Sequence, residues 1–150
     1  MSHPAPKGRV LLVAAPYYAH IVDALERGAR LALVEAGYAV ERIDVPGAFE
    51  IPPAIAAAEQ AGGWAGYVAL GCVIRGETSH YDYVCGECAR AIMDLTTRDG
   101  LAIGFGVLTV ENEDQAVARA GVEGRDKGGE AARAVIALMA LKRRFRGERA

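Results

Sequence analysis

The chain has 150 residues, 52% hydrophobic and 24% charged, with a formal net charge of −2. That size suits one domain with a continuous core, and the slightly acidic balance argues against nucleic acid as the default partner. No apolar run approaches the roughly 20 residues that a membrane span needs, so no membrane partner is expected. The first eight residues, MSHPAPKG, are polar and Pro-bearing, and read as a flexible lead ahead of a single domain over 9–150. They lack the apolar stretch of a signal peptide, so a cytoplasmic protein is expected. Three cysteines, an odd number, then stay as free thiols and build no disulfide framework.

Residues 9–15 (RVLLVAA) have the apolar continuity of a buried strand and end at Pro16. Ile21, Leu25, Ala29 and Ala32 follow at helical spacing, and Gly37 marks the stop. Residues 38–45 predict a second strand, closed by the turn dipeptide Pro46-Gly47. Ile51, Ala54, Ile55 and Ala58 then lie on one helical face. Pro52 and Pro53 are tolerable only in the first turn of that helix, so Glu50 stands at its entrance.

Residues 66–73 (GYVALGCV) predict a third strand covered on both faces. The helix after it carries Tyr81, Val84, Cys85, Cys88, Ile92 and Leu95 on one stripe. Residues 101–110 (LAIGFGVLTV) predict the fourth strand, with a short helix from about Glu113 to Ala120. A last helix starts near Asp126, a suitable N-cap, and runs to about Phe145. Its apolar residues cover more than one face, which predicts packing on another subunit. The alternation implies an α/β fold, a flavodoxin-like three-layer sandwich with a four-stranded parallel sheet, in which ligands bind beyond the carboxyl ends of the strands.

Four segments meet that edge. At the first, Tyr17 and Tyr18 either stack on a planar ring or pack beneath a loop. Glu50 either accepts hydrogen bonds from ligand hydroxyls or complements a helix dipole. Arg75-Gly76-Glu77-Thr78 leaves a strand and opens a helix, where orphan N–H groups attract a single phosphate; the plain alternative is a turn with Thr78 or Ser79 as N-cap. His80 follows, with an imidazole suited to moving protons near neutrality, or with a purely structural role. Arg119 and Lys127 flank a Gly-bearing turn and serve either phosphate or solvent. The basic stretch Lys142-Arg143-Arg144-Phe145-Arg146 complements the end of the last helix better than it argues for nucleic acid.

Cys85 and Cys88 form a C-x-x-C pair, which raises a thiol redox or metal protein as a rival. Redox use wants the first cysteine at a helix N-terminus, and a tetrahedral metal would need Cys72 and His80 as well. Both cysteines of the pair are expected in the core, and no metal is expected.

Four segments together, VPGAFEIP (45–52), ALGCVIRGETSHYDY (69–83), GFGVLT (104–109) and KGGEAA (127–132), resemble the lumazine synthase family over about residues 9–145. The resemblance implies a cofactor-independent transferase of riboflavin biosynthesis, 6,7-dimethyl-8-ribityllumazine synthase. It would condense 5-amino-6-(D-ribitylamino)uracil with 3,4-dihydroxy-2-butanone 4-phosphate, releasing phosphate and water. By position, Tyr17 would stack on the pyrimidine, Ala48, Phe49 and Glu50 would hold the ribityl chain, and Cys72, Val73 and Ile74 would meet the pyrimidine edge through backbone groups. Glu77 and Thr78 would bind the phosphate and His80 would shuttle protons. Phe105 and Arg119 match positions supplied by a neighbouring subunit, Phe105 toward the aminouracil and Arg119 toward the phosphate. Lys127 matches a site lysine of the family without a settled role. Tyr17 stands where Phe is common, and Cys72 where small aliphatic or hydroxyl residues are common. The resemblance implies pentamers and leaves pentamer, decamer and icosahedral shell open. A non-catalytic flavin- or lumazine-binding module of the same fold is the second rival.

Overall fold

The computed structural model describes residues 4–147; His3 and the start of the expected lead lie outside the described residues. Strands β1 (Arg9–Ala14), β2 (Ala39–Asp44), β3 (Gly66–Ile74) and β4 (Ile103–Val110) form one parallel sheet in the order β2-β1-β3-β4. Helices α1 (Ala19–Glu35), α2 (Ile51–Ala61), α3 (His80–Thr97), α4 (Glu113–Ala120) and α5 (Lys127–Phe145) connect and follow them. A single 3-10 turn, Ala48–Glu50, leads into α2. Lys7 and Gly8 are already fastened to the start of β2, the Lys7 N–H donating to Gly37 O and Gly8 O accepting from the Ala39 N–H.

Alternating side chains of the strands build two cores. Val10, Leu12, Val68, Leu70 and Leu108 face α1, α4 and α5, while Leu11, Val13, Tyr67, Ala69 and Val107 face α2 and α3. The sheet is therefore the middle of three layers, and the apolar continuity of β1 and β3 follows from cover on both sides. On β4 the layers come close because Gly104 has no side chain; a Cβ there would stand 2.1 Å from Ala131 O. β2 is an edge and bears charge. Its Arg42 pairs with Asp23, Glu26 and Asp44 at 2.6–3.1 Å, leaving an edge poorly suited to further strand addition.

One expectation changes. Of the predicted stripe on α3, only Cys88 and Ile92 are fully buried, while Tyr81, Val84, Cys85 and Leu95 are half-buried. At the start of α3, Val84 stands at core spacing yet lines an open cavity. On α5, Ala131, Ala132, Val135 and Met139 are buried, but Leu138, Leu141 and Phe145 lie exposed, so one subunit leaves part of the apolar surface uncovered.

Candidate active site

The chain passes from β1 outward to β2 and returns to the other side of β1 as β3. Loops leaving β1 and β3 therefore diverge, and a crevice opens between their carboxyl ends. A cavity of about 710 Å³ occupies that place, lined by residues from four separated segments. Tyr17 and Tyr18 come from the end of β1, and Gly47, Ala48, Phe49 and Glu50 from the turn before α2. Cys72, Val73 and Ile74 end β3, and His80, Tyr83 and Val84 open α3.

Each segment has a local reason for its place. Tyr18 caps α1, its carbonyl accepting from the Ile21 and Val22 N–H groups, and its ring meets Tyr17 edge-on at 5.0 Å between centroids and 74° between planes. Tyr17 is left 78% exposed, an aromatic face turned to the cavity mouth with one supporting ring behind it. Pro52 and Pro53 occupy the first turn of α2, so the chain must turn before them, and Glu50 N–H closes that turn on Gly47 O at 3.1 Å. Thr78 Oγ1 accepts from the His80 N–H at 3.3 Å, whereas Ser79 at the N-cap makes no side-chain cap bond. His80 is the first residue of α3, exposed at the helix N-terminus.

The lining is mostly apolar, with Glu50 and His80 as its ionisable groups apart from tyrosine and cysteine side chains. Burial pushes the Cys72 thiol up to about 11, with Glu113 and Cys85 adding to the effect. Burial likewise raises the Tyr18 hydroxyl above the usual phenol range.

Tyr17, Ala48, Phe49, Glu50, Cys72, Val73, Ile74 and His80, all expected from the sequence, share this cavity. Glu77 and Thr78 are exposed in the turn just outside it. Phe105 on β4 is 43% exposed and is not among the lining residues, while Arg119 on α4 donates to Gln115 O at 3.0 Å and Lys127 pairs with Glu130 at 3.1 Å. Within one subunit these three stay outside the cavity. Tyr83 and Val84 line it without having been expected there; their spacing of three and four from His80, one helical face, was the available signal.

The C-x-x-C pair builds no comparable centre. Cys88 is buried, Cys85 half-buried, and all three cysteines are free. Burial raises the Cys85 thiol and pushes Cys88 up to about 11, the reverse of what a redox nucleophile needs. The expected core position holds for Cys88 and fails for Cys85, which is only half-buried. Among the described residues no three His, Cys, Asp or Glu side chains are grouped to hold a metal.

Known proteins carry the same pattern along most of the chain. The profile of 6,7-dimethyl-8-ribityllumazine synthase matches residues 7–143. The chain belongs to that family. A curated 6,7-dimethyl-8-ribityllumazine synthase of Novosphingobium aromaticivorans is 58% identical over 137 residues, covering 91% of this chain and 98% of the relative. Those of Sphingopyxis alaskensis and Bartonella tribocorum are 56% and 54% identical, covering 91% and 93% of this chain and 96% and 93% of theirs. The lumazine synthase match thus spans every strand and helix that lines the cavity.

Proposed function

We propose that the chain carries out the reaction of its family. It condenses 5-amino-6-(D-ribitylamino)uracil with 3,4-dihydroxy-2-butanone 4-phosphate to 6,7-dimethyl-8-ribityllumazine, releasing phosphate and water, as a step of riboflavin biosynthesis. The observation that carries the site assignment is convergence: four segments far apart in sequence place an aromatic face, a carboxylate, a strand-end backbone and a histidine around one cavity.

The chemistry suits those groups. Imine formation between a bound amine and a ketone gains chiefly from orientation, worth up to about 7–11 kcal/mol in favourable cases, with general acid–base help adding roughly 10²–10⁴-fold. Tyr17 stacks on the pyrimidine, and Glu50 accepts from the ribityl hydroxyls beside Ala48 and Phe49. Backbone groups of Cys72, Val73 and Ile74 meet the pyrimidine edge. The turn carrying Glu77 and Thr78 takes the phosphate at the N-terminus of α3, where N–H groups and the helix dipole favour an anion. His80, beside that turn, moves protons between amine, carbonyl and leaving group.

Phe105 and Arg119 belong in this reading to the site of a neighbouring copy, within a pentamer or an assembly of pentamers. Supporting it are the exposed ring of Phe105, the absence of both residues from their own cavity, and the uncovered Leu138, Leu141 and Phe145 of α5. No helix among the described residues is long and apolar enough to cross a membrane, and the reading places the enzyme in the cytoplasm.

Mixing the purified protein with both substrates should accelerate formation of a fluorescent lumazine and of inorganic phosphate in equal amounts. Rates no faster than the spontaneous condensation would overturn the assignment. Arg119→Ala should raise KM for the ketone phosphate more than for the aminouracil, and equal losses would remove Arg119 from the phosphate site.

A further inference from the structure

Arg75 is the cation nearest in sequence to the phosphate turn, and a guanidinium there invites the role of phosphate ligand. Its contacts point elsewhere. Arg75 Nε donates to Glu111 Oε2 at 2.8 Å and Nη1 to Asp82 Oδ1 at 3.3 Å, while the guanidinium carbon stands 4.2 Å from the centroid of the Tyr81 ring. One planar group thus touches the loop after β4 and two residues of the first turn of α3. Its own backbone N–H donates to Val110 O at 2.9 Å.

We infer that Arg75 is a positioning residue for the phosphate turn: it pins the 76–79 segment and the N-terminus of α3 against the end of β4, and does not itself bind the phosphate. This rests on the reading of that turn as the phosphate site. Tyr81 also hydrogen-bonds Thr109 on β4, but the turn itself makes few side-chain contacts of its own. Residues 75–80 are all exposed, Ser79 makes no side-chain cap bond, and Gly76 would meet nothing within 4 Å if it carried a Cβ. The anchor on the far side is firm. Glu111 N–H donates to Gln115 Oε1 at 2.8 Å, and Gln115 N–H donates back to Asn112 Oδ1 at 2.9 Å, so the capping bonds of α4 fix the backbone that presents the Glu111 carboxylate.

Each contact alone is an exposed one and weak. Their geometry is what lysine cannot copy, since an ammonium has no plane to stack on Tyr81 while donating to two separate carboxylates. A phosphate held by backbone N–H groups is sensitive to where those groups point, and misplacement by about 1 Å is enough to cost up to roughly 10²-fold.

The test compares wild type, Arg75→Lys, Arg75→Ala, Glu111→Ala and the double variant Arg75→Ala/Glu111→Ala. KM is measured for each substrate, and inorganic phosphate is titrated calorimetrically as a probe that needs no turnover. Arg75→Lys and Arg75→Ala should both weaken phosphate and raise KM for the ketone phosphate by about tenfold or more, with KM for the aminouracil changed far less. The loss from Arg75→Ala should shrink when Glu111 is already alanine, because the two act through one contact. An Arg75→Lys enzyme with wild-type phosphate affinity, or strictly additive losses in the double variant, would overturn the inference. If Arg75→Ala does not fold, Arg75→Lys alone decides by the same criterion. Wild type that binds phosphate but makes no lumazine would sink the proposed function and leave the pin standing. Wild type that binds no phosphate would overturn both.

Discussion

Gly128, in the first turn of α5, offers a sharp test of how the α1/α5 layer holds. A Cβ built at Gly128 would lie 1.9 Å from Leu25 O and 2.6 Å from Leu25 C, and both are backbone atoms of α1. No rotamer change relieves such a contact; the two helices must part by about 1 Å, which forfeits a quarter to a half of the dispersion attraction along the seam. Overpacking of this kind costs about 1–3 kcal/mol, and the fixed backbone puts Gly128→Ala at the upper end. Alanine's helix propensity offsets at most about 1 kcal/mol of that. The net loss should be about 2 kcal/mol, a fall of roughly 4–8 °C in melting temperature at fixed protein concentration for a chain of this size. Gly86→Ala is the matched control, since Gly86 lies inside α3 and its Cβ would meet nothing within 4 Å of the subunit. There propensity acts unopposed and stability should rise by about 0.5–1 kcal/mol. A Gly128→Ala protein as stable as wild type would refute the argument from close approach. A loss at Gly86 would show that a second copy sits against that face of α3.

Other consequences follow from single contacts. With thiols at about 11, Cys72 and Cys88 should alkylate at pH 7.5 at least roughly tenfold more slowly than a free cysteine, since their thiolate populations are several hundredfold smaller and higher nucleophilicity recovers only part; fast labelling of Cys88, or a ready Cys85–Cys88 disulfide, in mass spectrometry would contradict this. Asp126 holds a left-handed conformation (φ 47°, ψ 51°) and its carboxylate accepts from the Gly129 N–H at 3.2 Å. Asp126→Ala should therefore lose about 2 kcal/mol in urea titration through both the cap and the backbone, and Asp126→Gly distinctly less. Burial alone would raise the Glu26 carboxyl, but hydrogen bonds and charge from Arg30 and Arg42 outweigh it and hold the group below its ordinary 4.5. A depressed folded-state value stabilises fully above the unfolded one and is lost as pH falls through the folded one, so Glu26 supports the fold at neutral pH and releases that support below about pH 4.5. Glu26→Gln should flatten the acid limb of the stability–pH curve, and an unchanged limb would exclude the pairing as its cause.

How much of the site was legible depended on chain locality. The 45–52 and 69–83 segments announced themselves because Pro52 and Pro53 force a turn before Glu50, and a glycine-bearing turn before a helix exposes N–H groups wherever it falls. Tyr83 and Val84 went unread because core spacing and cavity spacing are the same spacing on a helix. What separates Val84 from Cys88 is how far the sheet extends beneath α3, and that depends on strands remote in sequence. Arg75 and Arg119 look alike as residues; only the position of Glu111, at the end of another strand, sorts the one whose guanidinium is paired with carboxylates.

Sequence alone determined the alternation of strands and helices, the ends of the strands and of α4 and α5 within a residue or two, and the identity of the groups at the strand ends, because apolar period, proline and glycine act over one or two turns of chain. The tertiary structure decided which of those groups share a cavity. That choice belongs to the order β2-β1-β3-β4: the crevice opens where the chain reverses direction across the sheet, and it places Tyr17, Glu50, Cys72 and His80 around one space while leaving Phe105 and Arg119 outside it.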